Sequence, residues 1–283
     1  MAKVTTIKIG TQEITEVFYP SLSEVYSEIE KYRDRILSPQ QTTYRYLNKY
    51  MPGFTYYYTF DKALDNLYGG KWQTGTEQLT TKFNLFNKAF EEKARTKTEY
   101  DVVGYQASVP RYLMGIPQNM INNKPIKRKE KVITICKHIG FTADITVNEI
   151  IDYSARALAI INQIEKSGVR CNLDIISPSY GRGGRIGSIR IRIKNANEKI
   201  APGKLAFSIA NPDMFRKIIF ALRLTNCYNG NWNIFEGYSG GTNYDRKLNE
   251  QIVNQLVPNG YFLNNCIGSI EKEINAIMAQ NNK

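Results

Sequence analysis

Residues 131–176 read KVITICKHIGFTADITVNEIIDYSARALAIINQIEKSGVRCNLDII, and their patterning decides the fold. KVITICKHI (131–139) is a strand-type run rich in β-branched residues. Thr146-Val-Asn-Glu149 has the spacing of a capping box, in which a threonine and a glutamate three residues on satisfy each other's backbone donors. Val147, Ile150, Ile151, Leu158, Ile161 and Ile164 then recur at helical spacing and predict one inward face of a helix over 148–166. Lys166-Ser-Gly168 closes it, with a cation in the last turn and glycine beyond. VRCNLDII (169–176) returns as a second strand. Strand, helix, glycine, strand is the β-α-β unit, whose strands are parallel and whose crossover is right-handed. The expectation is a mostly parallel sheet with strands 132–136 and 169–176 flanking the helix.

The next stretch, GRGGRIGSIRIRIK (181–194), divides in two. Gly181 to Gly187 is a Gly/Arg loop. Beyond it Ile189, Ile191 and Ile193 alternate with Arg190, Arg192 and Lys194, the period of a half-buried strand. The reading is a hairpin with 169–176, its isoleucines buried and its three cations on an exposed face beside Arg182 and Arg185. Such a ribbon presents Arg and Lys to phosphates. The alternative is a solvated face, since a Lys/Arg edge also blocks sheet-to-sheet aggregation.

Upstream, the chain reads as helices. Ser21-Leu-Ser-Glu24 is a capping box followed by Leu22, Val25, Ile29, Tyr32 and Ile36. A short helix from Asp61 ends at Gly69-Gly70, and Thr74 with Glu77 caps another carrying Leu79, Phe83, Phe86 and Phe90. MPGFTYYYTF (51–60) is a turn leading into an aromatic patch. Residues 100–123, with Pro110 and Pro117 around Gly115, exclude a long helix. The basic run KPIKRKEK (124–131), with Lys127, Arg128 and Lys129, marks the boundary. The expected organisation is a mainly helical region 1–123, a basic linker 124–130 and an α/β domain 131–283. Downstream, Asn211-Pro212 enters a helix with Phe215, Ile218, Ile219 and Leu222 inward, and Ile267, Ile270, Ile274 and Ile277 mark a last one.

Composition sets the class of partner. Among 283 residues, 38 Lys plus Arg stand against 26 Asp plus Glu, a formal charge of +12 that suits nucleic acid or another polyanion. Lys127, Arg128 and Lys129 add to the candidate contacts. Cys136, Cys171, Cys227 and Cys266 have neither zinc nor disulfide-framework spacing, which favours a reducing compartment. Neither a signal peptide nor a membrane span is expected.

Catalytic motifs fail on inspection. Gly237-Tyr-Ser239-Gly-Gly241 has the G-x-S-x-G form, but the single histidine, His138, precedes the serine, whereas that hydrolase triad runs Ser, acid, His. Gly203-Lys204 lacks the glycine and the Ser/Thr of a P-loop. Gly181-Arg-Gly183-Gly184 lacks the third glycine opening a helix. Asp144-Ile-Thr146-Val-Asn148 faintly matches a hydroxyl-carboxylate metal loop, but Thr146 already serves as a cap. No cofactor, metal or catalytic residue is expected.

VVGYQASVPRYLMGIPQNM (102–120) and KIAPGKLAFSIANPDMFRKIIFAL (199–222) resemble a family of uncharacterised proteins of tailed bacteriophages, itself distantly von Willebrand A-like. The resemblance covers much of residues 60–225. It implies a distantly von Willebrand A-like mixed sheet and brings no activity or catalytic residue with it; the β-α-β pattern reads as Rossmann-like, and the expected place is the host cytoplasm or the virion. With the residues above, the expectation is a non-enzymatic binding protein whose partners are nucleic acid first, then other phage or host proteins. A virion or assembly component is the alternative, and a metal-dependent enzyme on nucleic acid the second.

Overall fold

The computed structural model describes residues 2–38, 59–70, 72–88, 96–125, 131–141, 145–180, 185–231, 246–264 and 269–281. Its strands are β1 (Lys3–Ile9), β2 (Gln12–Tyr19), β3 (Thr96–Asp101), β4 (Gln106–Ala107), β5 (Met120–Pro125), β6 (Lys131–His138), β7 (Val169–Tyr180), β8 (Ile186–Lys194) and β9 (Gly260–Leu263). The helices are α1 (Leu22–Lys31), α2 (Arg33–Ile36), α3 (Phe60–Gly69), α4 (Gln73–Lys88), α5 (Val109–Leu113), α6 (Val147–Lys166) and α7 (Pro202–Ala210). A π-helical stretch, Met214–Ile219, runs into α8 (Phe220–Asn226), and α9 (Arg246–Leu256) and α10 (Ile270–Asn281) follow.

The β6-α6-β7 unit forms as its patterning requires. Thr146 Oγ1 accepts from the Glu149 amide at 3.3 Å, and Glu149 Oε2 accepts from the Thr146 amide at 2.8 Å. That capping box starts a helix whose Ile150, Ile151, Leu158, Ile161 and Ile164 are all buried. β6 and β7 are parallel, from Lys131 opposite Val169 to His138 opposite Ile176, and β8 returns antiparallel to β7.

The sheet is mixed, with three of its five pairings parallel, in the order β1-β2-β8-β7-β6-β9. β2 lies parallel to β8, from Ile14 opposite Ile186 to Tyr19 opposite Ile191, and β1 folds back antiparallel on β2. The N-terminal region is therefore not only helical. KVTTIKI and QEITEVFY, rich in β-branched residues, form β1 and β2 and add two strands to the sheet, which draws on both sides of the expected 124–130 boundary. Residues 126–130 of that boundary lie outside the described residues.

Helices cover both faces. Ile133 and Ile135 of β6 join the main core with α6, α7 and α8, whereas Cys136, Ile14, Ile176, Ile186 and Phe262 pack against Ile252, Val253 and Val257 of α9 and its exit. Burying both faces leaves β8 in the interior, with β2 on one side and β7 on the other.

Most predicted helices form. Ser21 Oγ caps α1 by accepting from the Glu24 amide, and Gly70 ends α3 at φ +59°. The expected cap at Thr74 does not hold, because α4 already starts at Gln73. Packing sets that start: the Trp72 ring fills the space where a Cβ on Gly75 would stand. Asn211 Oδ1 accepts from the Asp213 amide at 2.8 Å, as a cap should. Phe215, Ile218, Ile219 and Leu222 are buried as expected. Ile277 is buried in α10 while Ile270 and Ile274 are partly so. Most of the 51–60 aromatic patch, with Phe90 and Ile267, lies outside the described residues.

Residues 96–125 form a second, three-stranded sheet of order β3-β5-β4, with α5 between β4 and β5. Pro110 sits in the first turn of α5, where its missing N–H costs nothing. Among the described residues no helix is long and apolar enough to cross a membrane.

Candidate anion-binding site

The exposed cationic face expected of the basic strand is not there. Arg190 is only 7% exposed and Lys194 2%. Arg190 donates from Nε and Nη2 to the two carboxylate oxygens of Glu16, at 2.8 and 3.0 Å, and from Nη1 to Asp174 at 2.6 Å. Arg192 donates to both oxygens of the same Asp174, at 2.5 and 3.3 Å. The Phe18 ring lies under both guanidinium groups, 3.9 Å from Arg190 and 5.5 Å from Arg192. Two cations and two carboxylates make a charge-neutral quartet. Burial opposes the charge on Arg190, but the Glu16 hydrogen bonds and the Glu16 and Asp174 carboxylates hold its pKa above the ordinary value.

Lys194 is satisfied separately. Its ammonium donates to Glu165 at 2.7 Å and to the carbonyls of Cys171 and Asn195 at 2.9 and 3.1 Å. An ammonium has three donors, so all are used. The alternation of residues 189–194 does make a strand. Its cations are withdrawn from solvent because β2 and β7 flank β8 and, with α6, deliver the acids.

Arg185 is exposed at the start of β8. Arg182, Lys127, Arg128 and Lys129 lie outside the described residues, as do Ser239 with its glycines and Asp144. Thr146 is engaged with Glu149 as a helix cap.

A different set of cations meets at the carboxyl end of β6. That end is a topological switch point: the chain leaves β6 through α6 on one face to reach β7, and returns to β9 on the other side from α9 on the opposite face. In open α/β sheets this crevice is where ligands bind. Lys137, the last but one residue of β6, is fully buried and donates to the His138 carbonyl at 3.2 Å, with the Phe141 ring 5.2 Å from its nitrogen. Arg216, partly buried, donates to the Phe141 carbonyl at 3.3 Å. Arg223 donates to Ser177 Oγ and the Pro178 carbonyl at the end of β7, at 2.9 and 3.3 Å. Its guanidinium stands 5.7 and 5.2 Å from the Phe215 and Phe220 rings.

Electrostatics at this end is positive. Burial first, then the charges of Lys137 and Arg223, push the pKa of His138 down to about 3, so its ring is neutral. Burial alone lowers Arg216 to about 10. Burial also lowers Lys217, which Asp213 partly offsets. Arg216 and Lys217 lie on the π-helical stretch, a distortion that recurs at functional sites. Gly140 permits the close approach here, since a Cβ would stand 2.8 Å from His138 Cε1. Sequence patterning conceals these cations because they sit among apolar residues that read wholly as core. A signal exists all the same: Arg216 and Arg223, seven residues apart, share a helix face.

Chemically, the arrangement offers guanidinium and ammonium groups in a dry setting and a histidine held neutral. No group of three or more His, Cys, Asp or Glu that could hold a metal occurs among the described residues. Cys136 and Cys171 are buried thiols, Cys171 pushed up to about 12 by burial and by Glu165.

The model of an uncharacterised family, described as "Domain of unknown function (DUF7192)", matches residues 3–269. No curated protein and no solved structure gave a match. The chain belongs to the DUF7192 family.

Proposed function

We propose that this member of the DUF7192 family is a non-enzymatic, phage-encoded protein that binds a polyanion, nucleic acid first, at the carboxyl end of its sheet. The observation that carries this reading is the pair of reachable cations at the carboxyl end of β6 and β7, exposed Arg185 and partly buried Arg216, with the buried charges of Lys137 and Arg223 adding to the positive field there. The +12 charge of the chain supports the same partner. Arg185 and Arg182 stay in the proposed interface, whereas Lys127, Arg128 and Lys129, which precede β6 in the chain, are kept only as a separate candidate contact. Arg190, Arg192 and Lys194 leave it, because their donors are held by Glu16, Asp174 and Glu165. The β7-β6-β9 trio with its crossover helix supports a Rossmann-like or von Willebrand A-like kinship.

The test is duplex DNA and RNA binding across a salt series. Removing one cation from a phosphate flattens the log–log salt dependence by about 0.9 on duplex DNA. Arg182→Gln with Arg185→Gln, and separately Arg216→Gln, are expected to flatten it accordingly and leave the melting temperature unchanged. Affinity and slope equal to wild type in all variants overturn the reading.

A second reading, a virion or assembly component, is favoured by the exposed apolar residues between Val102 and Met114. Abundance in purified particles, against recovery only from the cytoplasm of infected cells, separates the two.

A further inference from the structure

Arg111 is a cation held in place without a carboxylate. Its guanidinium lies 4.1 Å over the Tyr100 ring, and its Nε donates to the Gln118 carbonyl at 3.0 Å. Its terminal nitrogens meet no acceptor among the described residues, and the residue is partly exposed. A guanidinium fixed in this way keeps its outer N–H donors open to an anion, and phosphate is an anion that such a fork recognises. The backbone around it is equally defined. The Tyr105 amide donates to the Ile121 carbonyl at 3.0 Å and the Ser108 amide to the Asn119 carbonyl at 2.7 Å. Gly104 crosses β5 so closely that a Cβ would collide with the Ile121 carbonyl oxygen.

Aromatic rings and charge point to the ligand. Tyr105 and Tyr112 are 65% and 66% exposed. Tyr112 follows Arg111 in α5, and Tyr105 binds Ile121, which pairs with Tyr100 across β3 and β5. From Val102 to Lys129 the sequence carries Arg111, Lys124, Lys127, Arg128 and Lys129 and not one acid. Asp101, just before this stretch, turns its carboxylate to the Val102 amide at 2.8 Å. Open aromatic faces in an acid-free, cationic stretch suit a single strand, whose backbone follows the cations while its bases stack on the rings. Duplex bases are already stacked on one another, so they leave such rings nothing to hold. We propose that the surface of residues 100–122 binds single-stranded nucleic acid, with a phosphate on Arg111 and unstacked bases on Tyr105 and Tyr112. This rests on nucleic acid being the partner, and it gives that partner a contact apart from the carboxyl end of the main sheet.

The experiment is fluorescence anisotropy of the full chain with a labelled oligothymidine and with the same strand paired to oligodeoxyadenosine. Tyr105→Ala and Tyr112→Ala are each expected to weaken oligothymidine binding about 5- to 150-fold, the worth of one stacked base, and to leave duplex binding unchanged. Tyr105→Phe and Tyr112→Phe should restore it, because the ring and not the hydroxyl makes the contact. Arg111→Gln should flatten the log–log salt dependence on the single strand by about 0.7. Circular dichroism of the variants should match wild type, since none of these residues belongs to the apolar core. Oligothymidine affinity equal to wild type in both alanine variants overturns the proposal, and duplex binding that still responds to Arg185→Gln and Arg216→Gln then leaves the carboxyl-end site standing. Binding of anionic vesicles that both alanine variants abolish, with oligothymidine binding intact, also overturns it and gives the surface to lipid.

Discussion

Glu16 and Arg190 stand 174 residues apart in the chain and form a bidentate pair, Oε1 to Nε at 2.8 Å and Oε2 to Nη2 at 3.0 Å. The pair joins β2 to β8 through side chains as well as backbone, and Asp174 on β7 extends it across three adjacent strands. Buried ion pairs are weak evidence of net stability, yet removing one partner strands the other.

Glu16→Ala is therefore expected to cost about 3–5 kcal/mol of unfolding free energy, read from urea denaturation. Changing Arg190, Arg192 and Lys194 together to Gln leaves three carboxylates in or near the interior and should unfold the protein at ambient temperature. A loss below about 1 kcal/mol in Glu16→Ala would mean the quartet is solvated.

His138 predicts a pH dependence with a definite sign. Its folded pKa of about 3 lies below the value near 6.5 of an unfolded chain, so the unfolded state takes up the proton first. Stability is unaffected above about pH 6.5 and falls as pH drops from there toward 3, by at most ~1.4 kcal/mol per pH unit. Subtracting the stability profile of His138→Asn from that of wild type isolates this slope. A flat difference between about pH 6 and 4 would place the imidazole in water.

Gly104→Ala should act locally. The added methyl collides with the Ile121 carbonyl, backbone that cannot swing away, so β4 separates from β5. Amide exchange should speed up across 105–122 with the melting of the main sheet unchanged. Unaltered exchange there would show that the loop relaxes around the methyl.

The buried thiols give a labelling prediction. Burial pushes Cys136 well above its ordinary pKa, and Cys171 to about 12, so neither forms thiolate near neutrality. Native protein should leave both unmodified by iodoacetamide, and denaturant should expose them together. Fast alkylation of Cys136 in the native state would indicate that α9 lifts off the sheet.

Local pattern carries the β6-α6-β7 unit and the β8 hairpin because each is set by neighbours in sequence: a capping box, a 3.6-residue stripe, a glycine stop. What it cannot carry is the company of each strand. Arg190 looks solvent-facing when only residues 181–194 are in view, and buried once Glu16 arrives from the far end of the chain. An acid set among apolar residues in each strand, Glu16 between Ile14 and Val17 and Asp174 between Leu173 and Ile175, is the available hint, since buried carboxylates demand a cation. Arg216 and Arg223 are hidden for the converse reason. Their apolar neighbours satisfy the helical pattern, and only the sheet topology shows that their helix ends over the switch point.

The parallel pairing of β2 with β8 also bears on how the protein is made. Residues 12–19 leave the ribosome early, whereas their partner strand, Ile186–Lys194, follows some 170 residues later. At translation rates of about 5–20 residues per second, that is a wait of roughly ten to thirty seconds. Throughout it Ile14, Val17 and Tyr19 have no sheet to enter and Glu16 has no guanidinium. The nascent chain thus holds an amphipathic hairpin open until the second half arrives, and a chaperone that shields residues 12–19 would act in that interval.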